Sequence, residues 1–306
     1  MDAPAPTSPP AAPRVGIALG SGSARGWAHI GVLRALAALD IHPEIVCGTS
    51  IGALVGAAYA AERLDALERW VLDIDRWQVL RFINPGSGGL VESERLMQAF
   101  GEQVEDCAID SLPRRYACVA TELHSGRERW LRRGSLLDAV RASIALPGLL
   151  RPVYRDAVWL VDGGLVDPVP VSLCRALGAE VVIAVNLNGE LVGRPPARPR
   201  SRAAELLEPV AGRLQELLGL GREAAPPDTP GLFEVLGGAL HIMQDRITRS
   251  RMAGDPPDVL LAPRLGQIAL FEFDRAPEAI AVGRAAVEQN RSALFAALGR
   301  PEPDPA

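Results

Sequence analysis

Apolar residues along this chain fall into two alternating rhythms. Val15 to Gly20, "VGIALG", is a short apolar run closed by glycines, and Trp27 to Leu39 carries Ile30, Leu33, Leu36 and Ala37 at helical spacing. The pair predicts a strand, a Gly-rich turn and a helix. The unit repeats at once, with Glu44 to Cys47 as strand, Gly48 to Gly52 as tight turn and Ala53 to Ala61 as a helix of small residues. Further helices are expected over Glu62–Leu72, Ser93–Val104, Ser135–Ala145 and Val171–Leu177, and further strands over Tyr116–Ala120, Arg127–Arg132, Val158–Val161 and Val181–Val185. Strands alternating with helices predict an α/β fold whose mostly parallel sheet has helices on its faces. In such sheets ligands gather at the carboxyl ends of the strands.

After residue 188 the texture changes. Asn188 to Arg202 and Gly221 to Gly231 are rich in Gly, Pro and Arg and read as mobile connections. Amphipathic helices are expected near Ala203–Leu220 and Leu232–Arg251, then a last strand at Val259–Ala262 and one long helix over Pro277–Leu298. The expected organisation is a disordered Pro/Ala tail over 1–13, one domain over 14–298 and a tail over 299–306. Within the domain, 14–188 form the core, 189–256 a mobile and helical segment, and 257–298 the closing strand and helix.

Composition narrows the chemistry. The chain has 306 residues, 48% hydrophobic and 23% charged, with a net charge of −5, so it lacks the basic surface that nucleic acid demands. All 32 positive residues are arginine, which excludes P-loop lysines, Schiff bases and lysine general bases together. Cys47, Cys107, Cys118 and Cys174 show no metal-ligand spacing and read as free thiols in a reducing compartment. No run is long and apolar enough to span a membrane, and the first residues lack a secretory signal, so the expected location is cytoplasmic.

Three loops carry candidate chemistry. In Gly48-Thr49-Ser50-Ile51-Gly52, glycines two before and two after a serine suit a strained strand-to-helix turn that presents Ser50 as a nucleophile. A plain helix cap is the competing role of Ser50. In Gly20-Ser21-Gly22-Ser23-Ala24-Arg25-Gly26, small residues after the first strand can turn backbone N–H groups toward one point, as in an oxyanion hole or phosphate cradle. Dinucleotide binding fits less well, because the spacing is one residue off and the second strand ends in Cys47, Gly48 and Thr49 rather than an acid. Asp162-Gly163-Gly164 places an acid at another strand end, where an Asx turn is the alternative. His241 completes a Ser-Asp-His order but lies in a helical stretch, and His29 reads as a structural histidine. Arg25 stands at a helix start where it can meet an anion.

The set "GSGSARG", "GTSIG" and "DGG", in that order, resembles the patatin-like phospholipase family, in particular its bacterial-type branch related to neuropathy target esterase. "RASIALPGLLRPV" (Arg141 to Val153) and Ile247 to Gly266 are similar to further family segments. The resemblance implies a three-layer α/β/α fold and hydrolysis of lipid acyl esters by a Ser-Asp pair, Ser50 as nucleophile and Asp162 as base. It assigns Gly22 and Ser23 to the oxyanion loop, with Gly20, Gly26, Gly48, Gly52, Gly163 and Gly164 as motif glycines. Neither a cofactor nor a metal is called for. A phospholipid or other lipid ester is the expected substrate, with peripheral membrane contact and a homodimer as further expectations. A weakly active lipid-binding regulator is the alternative from another class.

Overall fold

The structure, a computed structural model, describes residues 13–74, 93–189 and 232–303. The expected helix at 203–220, the connections over 190–202 and 221–231, the turn at 84–89, and residues 1–12 and 304–306 of the two tails lie outside the described residues. Elements are numbered here among those described. The chain opens with β1 (Val15–Leu19), a 3-10 turn over Ser23–Trp27, α1 (Ala28–Ala38), β2 (Ile45–Thr49), α2 (Ile51–Ala60), α3 (Leu64–Asp73) and α4 (Ser93–Gly101). It continues through β3 (Arg115–Glu122), β4 (Glu128–Leu131), α5 (Leu136–Ser143), β5 (Val153–Arg155), β6 (Val158–Asp162), α6 (Val171–Ala176) and β7 (Val181–Val185). The C-terminal part holds α7 (Leu232–Gly254), β8 (Val259–Leu261), α8 (Ala276–Gln289) and α9 (Arg291–Ala297).

All eight strands join one sheet, in which β3, β2, β1, β7 and β8 are successive parallel neighbours. Strand periodicity explains the layers, because successive side chains point to opposite faces. Ile17, Leu19, Val46, Ile183 and Val185 join a large apolar cluster with α1, α2, α5 and α8. Ala18, Cys47, Ala117, Val182 and Ala184 join a smaller cluster with Leu173 and Cys174 of α6. Buried on both faces, these strands read as continuous apolar runs. The result is helix, sheet, helix.

Besides the short strand β5, which the pattern does not predict, two features depart from the sequence expectation. The single helix over 277–298 is broken at Asn290, whose side-chain Nδ2 donates to Ala286 O at 2.8 Å while its backbone N–H turns to Val287 O. The side chain takes the carbonyl that a continuing helix would offer the backbone. The other concerns Asp162, because β6 runs antiparallel to β3. Residues 118–121 of β3 pair with β4 along one edge, so β2, opposite Val119, and β6, opposite Ala120, share the other edge. Strands β2 and β6 therefore run toward each other along β3 and meet head to head. Asp162 reaches the end of β2 through this register, not by standing at the end of a parallel strand.

Candidate active site

Where β2 and β6 meet, Thr49 is opposite Val119 and Asp162 opposite Ala120. Ser50 follows Thr49 with φ 58° and ψ −124°, a left-handed backbone that a non-glycine residue adopts at a cost. Helix α2 starts at the next residue, so its N-terminal dipole lies against Ser50. The turn is crowded: a Cβ on Gly52 would lie 2.1 Å from Leu19 O, and one on Gly163 2.2 Å from Val119 O. Side chains at those positions would push apart the backbones that bring Ser50 to Asp162. Gly20 and Gly48 are similarly close to neighbouring backbone, and Gly26 and Gly164 to the side chains of Ile51 and Gln244.

Ser50 Oγ donates to Asp162 Oδ2 at 2.5 Å, and Gly164 N–H donates to Asp162 Oδ1 at 2.7 Å. Each carboxylate oxygen thus has one donor. Asp162 is 1% exposed, and burial pushes its carboxyl up to about 6 against the pull of these two hydrogen bonds. Thr121 Oγ1 donates to Asp162 O at 2.8 Å and fixes the strand end. The backbone of Ser50 is held as well, since its N–H donates at 3.0 Å to Ser143 Oγ, which donates in turn to Val119 O at 2.6 Å. Ser143 closes α5 and is fully buried. It lies in the "RASIALPG" stretch, but no local pattern reveals that its hydroxyl reaches Ser50.

The loop after β1 commits most of its N–H groups to carbonyls. Gly20 donates to Val185 O, Ser21 to Pro168 O, Ala24 to Leu270 O and Arg25 to Gly22 O. Gly22 and Ser23 keep N–H groups without an acceptor among the described residues. The Ser23 hydroxyl is turned to Leu270 O at 2.6 Å. His29, fully buried, holds the start of the loop by donating from Nε2 to Gly20 O at 2.8 Å, and burial lowers its ring to about 4. It is neutral and structural.

His241 is not brought to Asp162. Its Nε2 accepts from Arg25 Nη1 at 2.9 Å, and burial followed by the Arg25 charge lowers its pKa to about 3. Arg25 also donates from Nε to Ile268 O at 2.8 Å, and burial lowers it to about 10. Helix α7 contributes Gln244, whose Nε2 donates to Ser21 Oγ at 3.2 Å and whose Oε1 accepts from Asn188 Nδ2 at 2.9 Å. Asn188 follows β7 and also donates to Ser21 O at 3.3 Å. Sequence reasoning missed this buried amide bridge, because the polar face of α7 looks like a solvated one until it is packed.

Taken together, the arrangement offers a hydroxyl hydrogen-bonded to a buried carboxyl with a raised pKa, and two N–H groups on a neighbouring loop without an acceptor among the described residues. The patatin-like phospholipase family model matches residues 17–175, which contain all three loops. An uncharacterized NTE family protein of Mycobacterium tuberculosis is 35% identical, over 90% of this chain and 91% of that one. A lysophospholipase of Pyricularia oryzae is 30% identical over 88% of this chain and 18% of its own length. Among solved structures, VipD from Legionella pneumophila superposes with a TM-score of 0.46 at 11% identity, covering 94% of this chain and 68% of that one. This chain belongs to the patatin-like phospholipase family and stands with its NTE-type members.

Proposed function

We propose that this protein is a lipid acyl hydrolase of phospholipase A or lysophospholipase type, in which Ser50 is the nucleophile and Asp162 the general base. The observation that carries the reading is the 2.5 Å hydrogen bond from Ser50 Oγ to Asp162 Oδ2 at a positive-φ strand-to-helix turn. The kinship with a lysophospholipase supports a lipid ester as substrate. In this mechanism Asp162 takes the hydroxyl proton as Ser50 Oγ attacks the ester carbonyl. The tetrahedral oxyanion is received by the N–H groups of Gly22 and Ser23, each donor contributing about 3 kcal/mol on the scale of oxyanion-hole deletions. Asp162 returns the proton to the departing alcohol, which leaves an acyl-serine. Water then attacks that ester, giving its proton to Asp162, and Ser50 leaves with the proton as fatty acid is released.

A Ser-Asp-His triad has less support, because His241 spends its accepting nitrogen on Arg25 and the two oxygens of Asp162 accept from Ser50 and Gly164. The test is fluorophosphonate labelling together with product analysis on a mixed lipid extract. Wild type should label and release fatty acid, and Ser50→Ala should lose labelling and about six orders of magnitude in kcat. An unreactive, folded wild type would favour the lipid-binding regulator. Hydrolysis that survives Asp162→Asn and vanishes in His241→Ala would replace the pair by the triad.

A further inference from the structure

Helix α7 is turned inside out over the part that covers the site. Its inward residues Gln244, Asp245 and Thr248 are polar and buried, whereas Val235, Leu236, Ile242 and Met243 are each at least half exposed. At about 100° per residue, Val235, Leu236, Ala239, Ile242 and Met243 share an arc of roughly 120°. Arg246 and Arg249 continue that arc toward the C-terminus, and both are exposed. A helix that packs on its own protein in water does the reverse, burying its apolar stripe. The sequence pattern alone offers a stripe of Leu232, Leu236, Leu240, Met243 and Ile247 with arginines at 246, 249 and 251, and the structure displays part of it: Leu236, Met243, Arg246 and Arg249 are exposed, whereas Leu240 and Ile247 are half-buried and Arg251 is held in ion pairs.

We propose that the outer arc of α7, from Val235 to Arg249, seats the protein on an anionic lipid surface. The arc grades from apolar to cationic, as an interfacial helix does with its apolar part in the acyl boundary and its arginines among headgroups. It carries no carboxylate, since Asp245 is turned inward with Arg249 Nε on its Oδ2 at 2.8 Å. With a net charge of −5 the whole molecule is not drawn to such a surface, so the attraction is local and salt-sensitive. The opposite face of the same helix holds Ser21 through Gln244, which places the lipid about one helix diameter, ~10 Å, from the loop proposed to receive the oxyanion. The choice of lipid over a protein partner rests on the proposed lipid ester substrate.

Flotation tests this with vesicles of phosphatidylcholine alone and of phosphatidylcholine with one-third phosphatidylglycerol. Wild type should float with the anionic vesicles, and the triple variant Leu236→Ser, Ile242→Ser, Met243→Ser should lose at least tenfold in partitioning. Arg246→Glu should lose the preference for anionic vesicles. Turnover of a water-soluble short-chain ester and fluorophosphonate labelling should be unchanged in the triple variant, which shows that it is folded. A triple variant that floats like wild type overturns the proposal. So does a wild type that sediments as a dimer, fails to float and becomes monomeric on substitution, which assigns the arc to a second copy. Wild type that labels and hydrolyses but does not float removes the surface and leaves the catalytic reading. Wild type that floats as expected but neither labels nor hydrolyses does the opposite.

Discussion

A base that must accept a proton near neutral pH works best when its own pKa is close to that pH. Asp162 meets this condition because burial holds its carboxyl at about 6. In the proposed mechanism kcat/KM therefore falls as pH drops through about 6, with the slope of one proton. The same burial costs stability. A carboxyl whose folded pKa is raised binds its proton more tightly when folded, so the contribution is present at low pH and lost as pH rises through about 6. The rise from 3.8 to about 6 corresponds to about 3 kcal/mol. Asp162→Asn removes the ionisation, and we expect it to be inactive yet to melt higher than wild type at pH 8, with the margin shrinking toward pH 5. Calorimetry at both pH values checks this, and a variant less stable than wild type at pH 8 contradicts it. Ser143 acts one step back, as a positioning residue. Ser143→Ala strips the Ser50 N–H and Val119 O of a partner, a loss of about 1–3 kcal/mol for buried groups. Its kcat on a soluble ester should fall by roughly tenfold or more with KM nearly unchanged, and Ser143→Thr, which keeps the hydroxyl, should recover part of it. Full kcat in Ser143→Ala would remove the positioning role.

Between elements, the tightest packing is the crossing of α1 and α8. A Cβ on Gly31 would lie 1.9 Å from Ile280 O, and one on Gly283 2.0 Å from Ala28 O, so these helices touch backbone to backbone. Gly283→Ala forces them apart at a cost of about 3 kcal/mol, or roughly 6 °C in Tm for a chain of this size. Gly238→Ala on α7, with open space around the new methyl, should instead gain up to about 1 kcal/mol. Thermal melts of the two variants should shift in opposite directions, and a neutral Gly283→Ala would mean that the crossing yields. Legibility in the sequence follows the same division. Strands β1, β2 and β7 and helices α1, α2 and α5 are readable because their apolar pattern is local, β1 and β2 end at glycine or a cap, and β7 is an unbroken apolar run rich in β-branched residues. The head-to-head meeting of β2 and β6 is not readable, because it depends on a three-residue register against β3 and on β5, a short strand with no clear alternation. Nor is the break at Asn290, since apolar residues continue on both sides and only one side-chain hydrogen bond ends the helix. Ser50 and Asp162 stand out as motif residues, but the partners that orient them, Ser143 and Thr121, and Gln244, which holds Ser21 of the neighbouring loop, are ordinary polar residues whose reach is set by tertiary packing.

Across the whole molecule, the groups proposed for catalysis come from the part of the chain that matches the family model, while α7, which braces them, lies beyond residue 175. The two parts are joined by charge. Arg251, near the end of α7, places Nε 3.0 Å from Asp167 Oδ1 and Nη2 2.5 Å from Glu128 Oε2. Asp167 is buried three residues after Gly164, and its backbone carbonyl accepts from Thr49 Oγ1 at 2.8 Å, so the clamp reaches the residue before Ser50. Burial, with Glu128 adding to it, pushes Asp167 up to about 8 against the pull of Arg251. Arg251→Met takes that pull away, leaves Asp167 beside Glu128 without a cation and raises the Asp167 carboxyl further. At pH 6 Asp167 holds a proton in wild type and variant alike, so the deficit should be small; at pH 9 the wild type ionises against Arg251 and the variant cannot, so the deficit should be largest. Urea denaturation of both proteins at pH 6 and pH 9 measures the difference. A deficit that is equal at the two pH values would show that Arg251 secures α7 by packing of its aliphatic stem rather than by charge.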